Sequence, residues 1–304
     1  MSVQLPGAFL ARASRGKEWA DWLAALPRLI TEICREWELT ADGPVATGTC
    51  AVVVPVVTCT GERAAAKFGW PHPEAEHEHL ALRAWAGEGA VRLLRADPRR
   101  SVLLLERADP SRDLHTLPIL DACEVIAGLY GRLHRPAIPQ LDRLSDHAAR
   151  WAAELPALRD NHLVPRRFVE QASALAADFA TDPATGGTLI HTDLHFANVL
   201  AAEREPWLVI DPKPLSGDPA YEVLPVLGNR WEEAVATGDA RAAVLDRLFA
   251  LVDGAGLDEE RVRAWVTVRG MVDIMWTLGE AGANGTADPA WVTAGTTIIK
   301  AVQY

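Results

Sequence analysis

Residues 190–211 constrain the fold of this chain more than any other stretch. Two short apolar runs, residues 199–200 and 207–210, flank a polar segment at 202–205, a pattern that predicts a β-hairpin. A hairpin of this size returns Asp211 alongside Asn198. Because Asp193 lies just before Asn198, one local structure is expected to collect two carboxylates and an amide.

Phosphoryl transfer from ATP requires this set of side chains. One carboxylate orients the attacking hydroxyl, while an amide and a second carboxylate hold Mg²⁺ against the phosphates. We therefore predict that Asp193 is catalytic and that Asn198 and Asp211 are the metal ligands. The expected cofactors are ATP and Mg²⁺.

Composition restricts the partners of the chain. Its 304 residues are 49% hydrophobic and 23% charged, which predicts one two-lobed unit or two small domains with a large core and argues against disorder. The net charge of −11 argues against nucleic acid, which requires a basic surface, and suits a cationic small-molecule acceptor.

Cysteine usage and hydropathy indicate a cytoplasmic protein without a membrane span. Cys34, Cys50, Cys59 and Cys123 form no CxxC pair and no cluster with metal-ligand spacing, which is typical of reduced thiols. The N-terminus lacks a signal-peptide pattern, and no apolar run approaches the roughly 18 residues that a membrane helix needs. We expect a monomer or a weak dimer.

The periodicity of the chain predicts two lobes. An amphipathic helix at 17–37 precedes a hairpin formed by 50–57 and 63–68, a helix at 73–85, and strands at 90–95 and 101–106. Beyond residue 107 the pattern is mainly helical, and the predicted helices are 119–134, 144–160, 166–181, 219–236, 241–254, 258–281 and 289–301. The boundary near 107 predicts a nucleotide-binding lobe at 1–107 and a helical lobe at 108–304.

Several residues of the first lobe are candidates for nucleotide binding. Lys67 ends a strand and is expected to reach the α- and β-phosphates, held there by Glu78 on the following helix. Gly48 and Thr49 lie in a loop between strands, where small side chains let backbone N–H groups approach an anion. The chain from Glu106 to Ala108 leaves a buried strand, and its backbone is the predicted partner of adenine.

Three motifs resemble the catalytic and metal loops of the aminoglycoside phosphotransferases, specifically the streptomycin 6-kinase/hydroxyurea phosphotransferase branch. They lie at 191–198, 210–212 and 217–222, and weaker likeness extends over nearly the whole chain. The resemblance implies an α+β, bilobal protein-kinase-like fold with a small β-rich N-lobe and a larger helical C-lobe. It also implies in-line transfer of the γ-phosphate to an antibiotic hydroxyl. Thr192 departs from the pattern, since many relatives have glycine there.

A streptomycin-like acceptor carries guanidinium groups, which need acidic partners for charge-assisted hydrogen bonds and aromatic faces for stacking. The candidates in the helical lobe are Asp273, Glu222, Glu232, Glu280, Trp231 and Trp276. Asp273 is the leading candidate because it interrupts the otherwise apolar run at 272–278.

Other functions remain open on sequence alone. The same site would serve a kinase of another acceptor, such as an amino sugar, a different secondary metabolite or hydroxyurea. His191, Asp193 and His195 share one side of the chain if the segment is a strand, so a zinc hydrolase is an alternative. A non-catalytic nucleotide-binding module is a further alternative.

Overall fold

The structure, a computed structural model, describes residues 5–284 and 289–303, and the side chains of 5–279 and 290–303. The helices are α1 (Gly7–Leu10), α2 (Lys17–Glu36), α3 (Glu78–Trp85), α4 (Ile119–Leu133), α5 (Leu144–Glu154), α6 (Arg166–Thr181), α7 (Leu224–Leu227), α8 (Trp231–Ala236), α9 (Ala240–Ala255), α10 (Glu259–Asn284) and α11 (Pro289–Ala301). The strands are β1 (Thr40–Ala41), β2 (Ala46–Thr47), β3 (Ala51–Val57), β4 (Arg63–Gly69), β5 (Leu93–Asp97), β6 (Val102–Glu106), β7 (Asp109–Asp113), β8 (Arg135–Pro136), β9 (Thr188–Ile190), β10 (Val199–Ala201), β11 (Leu208–Val209) and β12 (Leu215–Gly217).

The chain divides into two compact units. Residues 1–109 and 202–208 form the first unit, and residues 110–201 and 209–304 form the second. No helix within the described ranges has both the length and the apolar content needed to cross a bilayer.

The first unit is built on a six-stranded antiparallel sheet, in which β1, β3, β4, β6 and β5 follow one another and β2 also pairs with β3. Every second residue of β3 and β4 is buried, as the period of a strand requires. That buried face and the apolar stripe of α2 form one core, with Leu26 and Ile30 against the cluster that contains Val54 and Phe68. Lys67 is one of the residues of β4 that are not buried in this core, so it lies on the opposite face of the strand.

Two predicted elements of the first unit are shorter than expected. Only Glu78–Trp85 of the stretch 73–85 is α-helical, because Pro73–Ala75 forms a separate 3₁₀ turn. The strand predicted at 90–95 lies at Leu93–Asp97, and the register of its pairing with β6 shifts between Leu93 and Arg95. The hairpin of β3 and β4 and the helix α2 follow the sequence prediction closely.

Two small sheets have the strand orders β11-β10-β7 and β12-β9-β8, and the sheet β12-β9-β8 lies in the second unit. The helices at 119–133, 166–181 and 240–255 agree with the prediction. The prediction of a single helix at 219–236 is wrong. A 3₁₀ turn, α7 and α8 replace it, since Pro225 lies in the first turn of α7 and Arg230 adopts a left-handed conformation with φ of 50°.

Candidate active site

Lys67 and Glu78 form a buried ion pair in the first unit. The lysine Nζ lies 2.7 Å from both carboxylate oxygens, and the side chains are 12% and 5% exposed. The arrangement follows from the sequence, because alternation along β4 directs Lys67 away from the α2 core and Glu78 begins α3. The two residues that sequence analysis paired are therefore adjacent.

Gly48 and Thr49 form the turn between β2 and β3. The Gly48 N–H donates to the Ala51 carbonyl at 2.9 Å, so this amide closes the turn. The guanidinium of Arg12 binds the carbonyl oxygens of Gly48 (2.7 Å) and Thr49. Arg12 therefore fixes the turn from the N-terminal segment, a contact that no local sequence pattern indicated.

Glu106, at the end of β6, uses its carboxylate within the first unit. Arg204 donates to both oxygens at 2.8 and 2.9 Å, and the Arg92 N–H donates at 3.0 Å. Arg204 also donates to the Ala90 carbonyl at 3.0 Å. The backbone of Glu106 and Ala108, rather than the Glu106 carboxylate, therefore stays the candidate for contact with adenine.

In the second unit, Asp193 and Asn198 are in contact. The Asn198 amide nitrogen donates to the Asp193 carbonyl at 2.8 Å and lies 3.5 Å from its carboxylate. The Ile210 N–H donates to the Asn198 carbonyl at 2.9 Å, so the hairpin strand brings Asp211 next to Asn198. The Asp193 and Asp211 side chains are 38% and 36% exposed. The backbone contacts therefore bring the segments of Asp193, Asn198 and Asp211 together, and both carboxylates are partly exposed.

The donor set of this site fits magnesium. Because the Asn198 amide nitrogen is engaged by Asp193, the amide oxygen is the atom that Asn198 can offer to a cation. Asp211 supplies carboxylate oxygens, and hard oxygen donors are the ligands that Mg²⁺ prefers. Lys213 Nζ lies 2.8 Å from one Asp211 oxygen, so this carboxylate already stabilises a positive charge.

Two loops meet along a line of hydrogen bonds that we call the loop junction, formed by His191, Thr192, Ile210 and Lys213. His191 Nε2 donates to the Ile210 carbonyl at 2.9 Å, and the Lys213 N–H donates to the His191 carbonyl at 2.9 Å. The Thr192 hydroxyl donates to the Lys213 carbonyl at 2.6 Å. The junction fixes the residues just before Asp193 against the residues on both sides of Asp211.

His191 is the central imidazole of this junction. Its Nδ1 accepts the Asp193 N–H at 3.2 Å, which makes Nε2 the donor. Burial lowers the pKa of His191, so the neutral ring that this pattern requires is the favoured form. The segment after Ile190 is not a strand, and among the described residues no three His, Cys, Asp or Glu side chains converge as a metal site. The zinc-hydrolase interpretation therefore lacks its structural basis.

Glu222 is not placed to bind an acceptor, which corrects the sequence prediction. Its side chain is fully buried and accepts the N–H groups of His191 (2.7 Å) and Thr192 (2.8 Å). His134 Nε2 lies 2.6 Å from the second oxygen. Burial opposes ionisation, but the hydrogen bonds and charges of His134 and the loop prevail and lower the pKa of Glu222. Its role is to hold the backbone that precedes Asp193.

We expect Glu222→Ala to reduce the free energy of unfolding by about 3 kcal/mol, because it leaves two buried N–H groups without an acceptor. Urea denaturation measures this change. Glu232→Ala is the matched control, since Glu232 is exposed on α8 and its removal should change stability by less than about 0.5 kcal/mol. Equal stability of the two variants would show that the Glu222 contacts do not hold the loop.

Asp273 is the acceptor candidate that the structure connects to Asp193. It lies on α10, and burial by the surrounding protein raises the pKa of its carboxyl to about 6, with the Asp193 charge adding to the rise and Arg269 opposing it. The side chain is nevertheless exposed to solvent. A carboxyl group whose pKa is shifted this far by its surroundings is a candidate for a functional site.

The other acceptor candidates have less defined surroundings. Trp276 is 47% exposed and contacts Trp151 edge to face at 6.4 Å between ring centroids. Glu232 is exposed and Trp231 is partly buried at the start of α8. The Glu280 side chain lies outside the described residues.

Sequence analysis missed Arg269, which lies one turn before Asp273 on α10. Its guanidinium donates to the carbonyls of Thr192 (2.6 Å) and Tyr221 (3.2 Å) and packs 4.4 Å from the Tyr221 ring centroid. Residues four apart share a helix face, so the spacing of Arg269 and Asp273 was the available signal.

Known proteins resemble this chain over most of its length. A family model described as aminoglycoside/hydroxyurea antibiotic resistance kinase matches residues 36–281. The chain belongs to this family. As an aminoglycoside/hydroxyurea resistance kinase it is a phosphotransferase with a hydroxyl group as acceptor, as the motif at 191–198 predicted.

Two relatives of this kinase illustrate the range of the family. A streptomycin 6-kinase of Streptomyces glaucescens is 40% identical over 299 residues, which cover 96% of this chain and 95% of that protein. A hydroxyurea phosphotransferase of Kitasatospora aureofaciens is 41% identical over 283 residues, which cover 90% of this chain and 80% of that protein.

Solved structures establish the fold of this kinase. A thermostable mutant of an aminoglycoside phosphotransferase, crystallised with ADP and hygromycin B, matches with a TM-score of 0.59 at 16% identity over 89% of this chain and 97% of that one. A choline/ethanolamine kinase family protein from Mesorhizobium loti matches with a TM-score of 0.58 at 17% identity over 90% and 94% of the two chains. The predicted α+β, protein-kinase-like fold is confirmed.

Proposed function

We propose that this kinase transfers the γ-phosphate of ATP to a hydroxyl of a streptomycin-like aminoglycoside and so inactivates it. The contact of Asp193 with Asn198, on the hairpin that brings Asp211 beside them, is the observation that supports this reaction most directly. The relatives named streptomycin 6-kinase, at 40 and 41% identity, support the acceptor class.

Each residue of the site has a proposed role. Asp193 accepts the proton of the acceptor hydroxyl and orients its oxygen toward phosphorus. Asn198 and Asp211 would hold Mg²⁺, which neutralises phosphate charge when bound. Lys67, fixed by Glu78, is proposed to bind the α- and β-phosphates, while the turn at Gly48 and Thr49 covers them and the backbone from Glu106 to Ala108 binds adenine.

Asp273 is the proposed anchor for a cationic group of the acceptor. Its carboxylate interacts electrostatically with Asp193, so a guanidinium held there would lie close to the reactive carboxylate. The exposed face of Trp276 offers a stacking surface three residues along α10. Trp231, Glu232 and Glu280 remain candidates for more distant contacts.

Hydroxyurea is the second candidate acceptor, favoured by the relative named hydroxyurea phosphotransferase. Hydroxyurea is small and uncharged, so it cannot form an ion pair with a carboxylate such as Asp273. A net charge of −11 also favours a cationic acceptor, because long-range attraction raises its rate of encounter. We therefore place the aminoglycoside first.

A panel of acceptors tests the proposal. Purified protein is incubated with MgATP and each of streptomycin, other aminoglycosides, amino sugars and hydroxyurea, and mass spectrometry follows the addition of one phosphate. We expect streptomycin or a close analogue to be modified fastest. Modification of hydroxyurea alone would replace the proposed acceptor, and the absence of any ATP-dependent product would refute the proposed reaction.

The raised pKa of Asp273 predicts that acceptor binding depends on pH. A pKa raised to about 6 keeps the carboxyl ionised at pH 7 and neutralises it progressively as the pH falls below 6. Since a cation needs the ionised form, KM for streptomycin should rise about tenfold per pH unit below pH 6. Initial-rate measurements between pH 5 and 8 give this profile.

Asp273→Asn should raise KM at pH 7 and flatten its rise at low pH. Asp253→Asn, at an exposed site on α9, serves as the control and should keep the rise. A profile for Asp273→Asn that parallels the unmodified protein would assign the cation to another acidic group.

We further propose that residues 1–107 bind the nucleotide and residues 108–304 supply the catalytic loop and the acceptor site. Within the described part of the chain, Cys34, Cys50, Cys59 and Cys123 form no disulfide bond, which is typical of a reducing compartment, and ATP is available there. We propose a cytoplasmic enzyme that acts as a monomer or a weak dimer.

A further inference from the structure

Thr192, the residue before Asp193, has a strained backbone. Its φ is 63°, in the left-handed region, which a β-branched side chain seldom occupies and which costs about 1–3 kcal/mol. Glycine would adopt this conformation without strain. The side chain of Thr192 must therefore provide something that glycine lacks, or the position would carry strain without compensation.

Every polar group of Thr192 is engaged by another part of the second unit. Glu222 accepts its N–H at 2.8 Å, Arg269 donates to its carbonyl at 2.6 Å, and its hydroxyl donates to the Lys213 carbonyl at 2.6 Å. The residue is 8% exposed. Contacts from three separate segments over-determine its position, which is the condition under which local strain persists.

The hydroxyl of Thr192 reaches the segment containing Asp211 through its hydrogen bond to the Lys213 carbonyl. Lys213 follows Asp211 closely, and its ammonium binds the Asp211 carboxylate at 2.8 Å. Lys213 thus contacts the catalytic loop through its carbonyl and the metal-binding residue through its side chain. Lys213 is therefore a direct structural connection between the Asp211 side chain and Thr192, the residue next to Asp193.

We propose that Thr192 is a positioning residue that sets Asp193 against Asp211, through its hydroxyl bond to Lys213 and with Arg269 as the support for its carbonyl. This inference rests on the proposed roles of Asp193 and Asp211. Its consequence is that the side chain at 192 acts on turnover rather than on nucleotide affinity, because it orients the catalytic carboxylate and does not contact phosphate.

Arg269 connects this positioning to Asp273, the proposed anchor of the acceptor. The charges of Arg269 and Asp273 interact, and the guanidinium of Arg269 binds the Thr192 carbonyl. A cation bound at Asp273 and the orientation of Asp193 are therefore linked through one arginine. Arg269→Lys keeps the positive charge but loses the planar guanidinium that donates to two carbonyls. Its effect therefore reports the contribution of these hydrogen bonds rather than that of the charge.

The test compares Thr192→Val with Thr192→Ser. Valine keeps the shape and the strain but lacks the hydroxyl, whereas serine keeps the hydroxyl. With streptomycin and MgATP, we expect Thr192→Val to lower kcat by about tenfold or more and to change KM for ATP by less than about threefold. Thr192→Ser should keep kcat within about threefold of the unmodified protein, and Arg269→Lys should lower it.

Thr267→Val is the matched control. Thr267 is buried on α10 and its hydroxyl donates to the Arg263 carbonyl at 3.0 Å, so the substitution removes an equivalent bond away from the loop junction. Its kcat should remain unchanged. Thr192→Val with unaltered kcat would overturn the proposal, and so would parallel losses of kcat, nucleotide affinity and thermal stability in both valine variants.

Amide hydrogen exchange gives a readout that needs no turnover. Peptides covering 190–198 and 209–215 should exchange faster in Thr192→Val than in the unmodified protein and should not change in Thr267→Val. If no acceptor is phosphorylated but this difference appears, the proposed function fails while the junction stands. If phosphorylation is normal and neither exchange nor kcat responds to Thr192→Val, the junction fails alone.

Discussion

Asp193→Asn is expected to lower kcat by about a hundredfold or more with little change in KM for either substrate. The substitution removes the group that accepts the proton of the acceptor hydroxyl, a function worth about 10²–10⁴ in rate, while conserving the size of the side chain. Initial rates of phosphate transfer from MgATP to streptomycin measure the effect. Retention of more than about a tenth of the activity would assign the proton to another group.

The fold should survive this change, because the contacts that hold the segment do not depend on the carboxylate. The Asp193 N–H binds His191, and its carbonyl binds the Asn198 amide nitrogen. Thermal unfolding should therefore remain within a few degrees of the unmodified protein. Asp253→Asn, at an exposed site on α9, controls for the loss of one negative charge and should leave kcat unchanged.

Local patterns were sufficient to predict the central part of the site. The hairpin that joins Asn198 to Asp211 is a short-range structure whose strands and turn are adjacent in the chain. Lys67 and Glu78 are also close in sequence, and alternation along β4 determines the face from which the lysine projects. In both cases the geometry follows from the period of one or two neighbouring elements.

Glu222 shows where local patterns are insufficient. A glutamate after a Gly-Asp-Pro turn has the same sequence appearance whether it faces solvent or the backbone of a distant loop. Its actual partners are His191, Thr192 and His134, which lie far away in the chain. Only tertiary packing determines that this carboxylate is buried and satisfied.

The broken helix at 219–236 and the role of Arg269 have a related cause. Apolar periodicity continues through Pro225, so the pattern hides the interruption that the proline and Arg230 introduce. Arg269 binds carbonyl groups, and a carbonyl has no signature in a sequence because every residue has one. Contacts between a side chain and the backbone of another segment are therefore the part of an active site that sequence predicts least.

Asp211→Asn is expected to abolish the magnesium dependence of nucleotide binding and to lower kcat by about a hundredfold or more. Asp211 has a φ of 58°, and asparagine tolerates this left-handed conformation better than most residues, so the backbone should not change. The substitution removes the one carboxylate proposed to hold the cation and leaves the Asn198 amide in place. Titration calorimetry with a non-hydrolysable ATP analogue, in the presence and absence of Mg²⁺, measures the effect.

In the unmodified protein, Mg²⁺ should tighten binding of the analogue, because Asp211 is proposed to hold the cation and the cation would neutralise phosphate charge. In Asp211→Asn the two titrations should coincide, and the affinity without metal should change by less than about threefold, since Lys67 and Glu78 are untouched. Asp253→Asn should retain the full metal effect. If Mg²⁺ still tightened binding to Asp211→Asn by its usual factor, the metal would have to be held by ligands other than this carboxylate, and the role proposed for the hairpin would be lost.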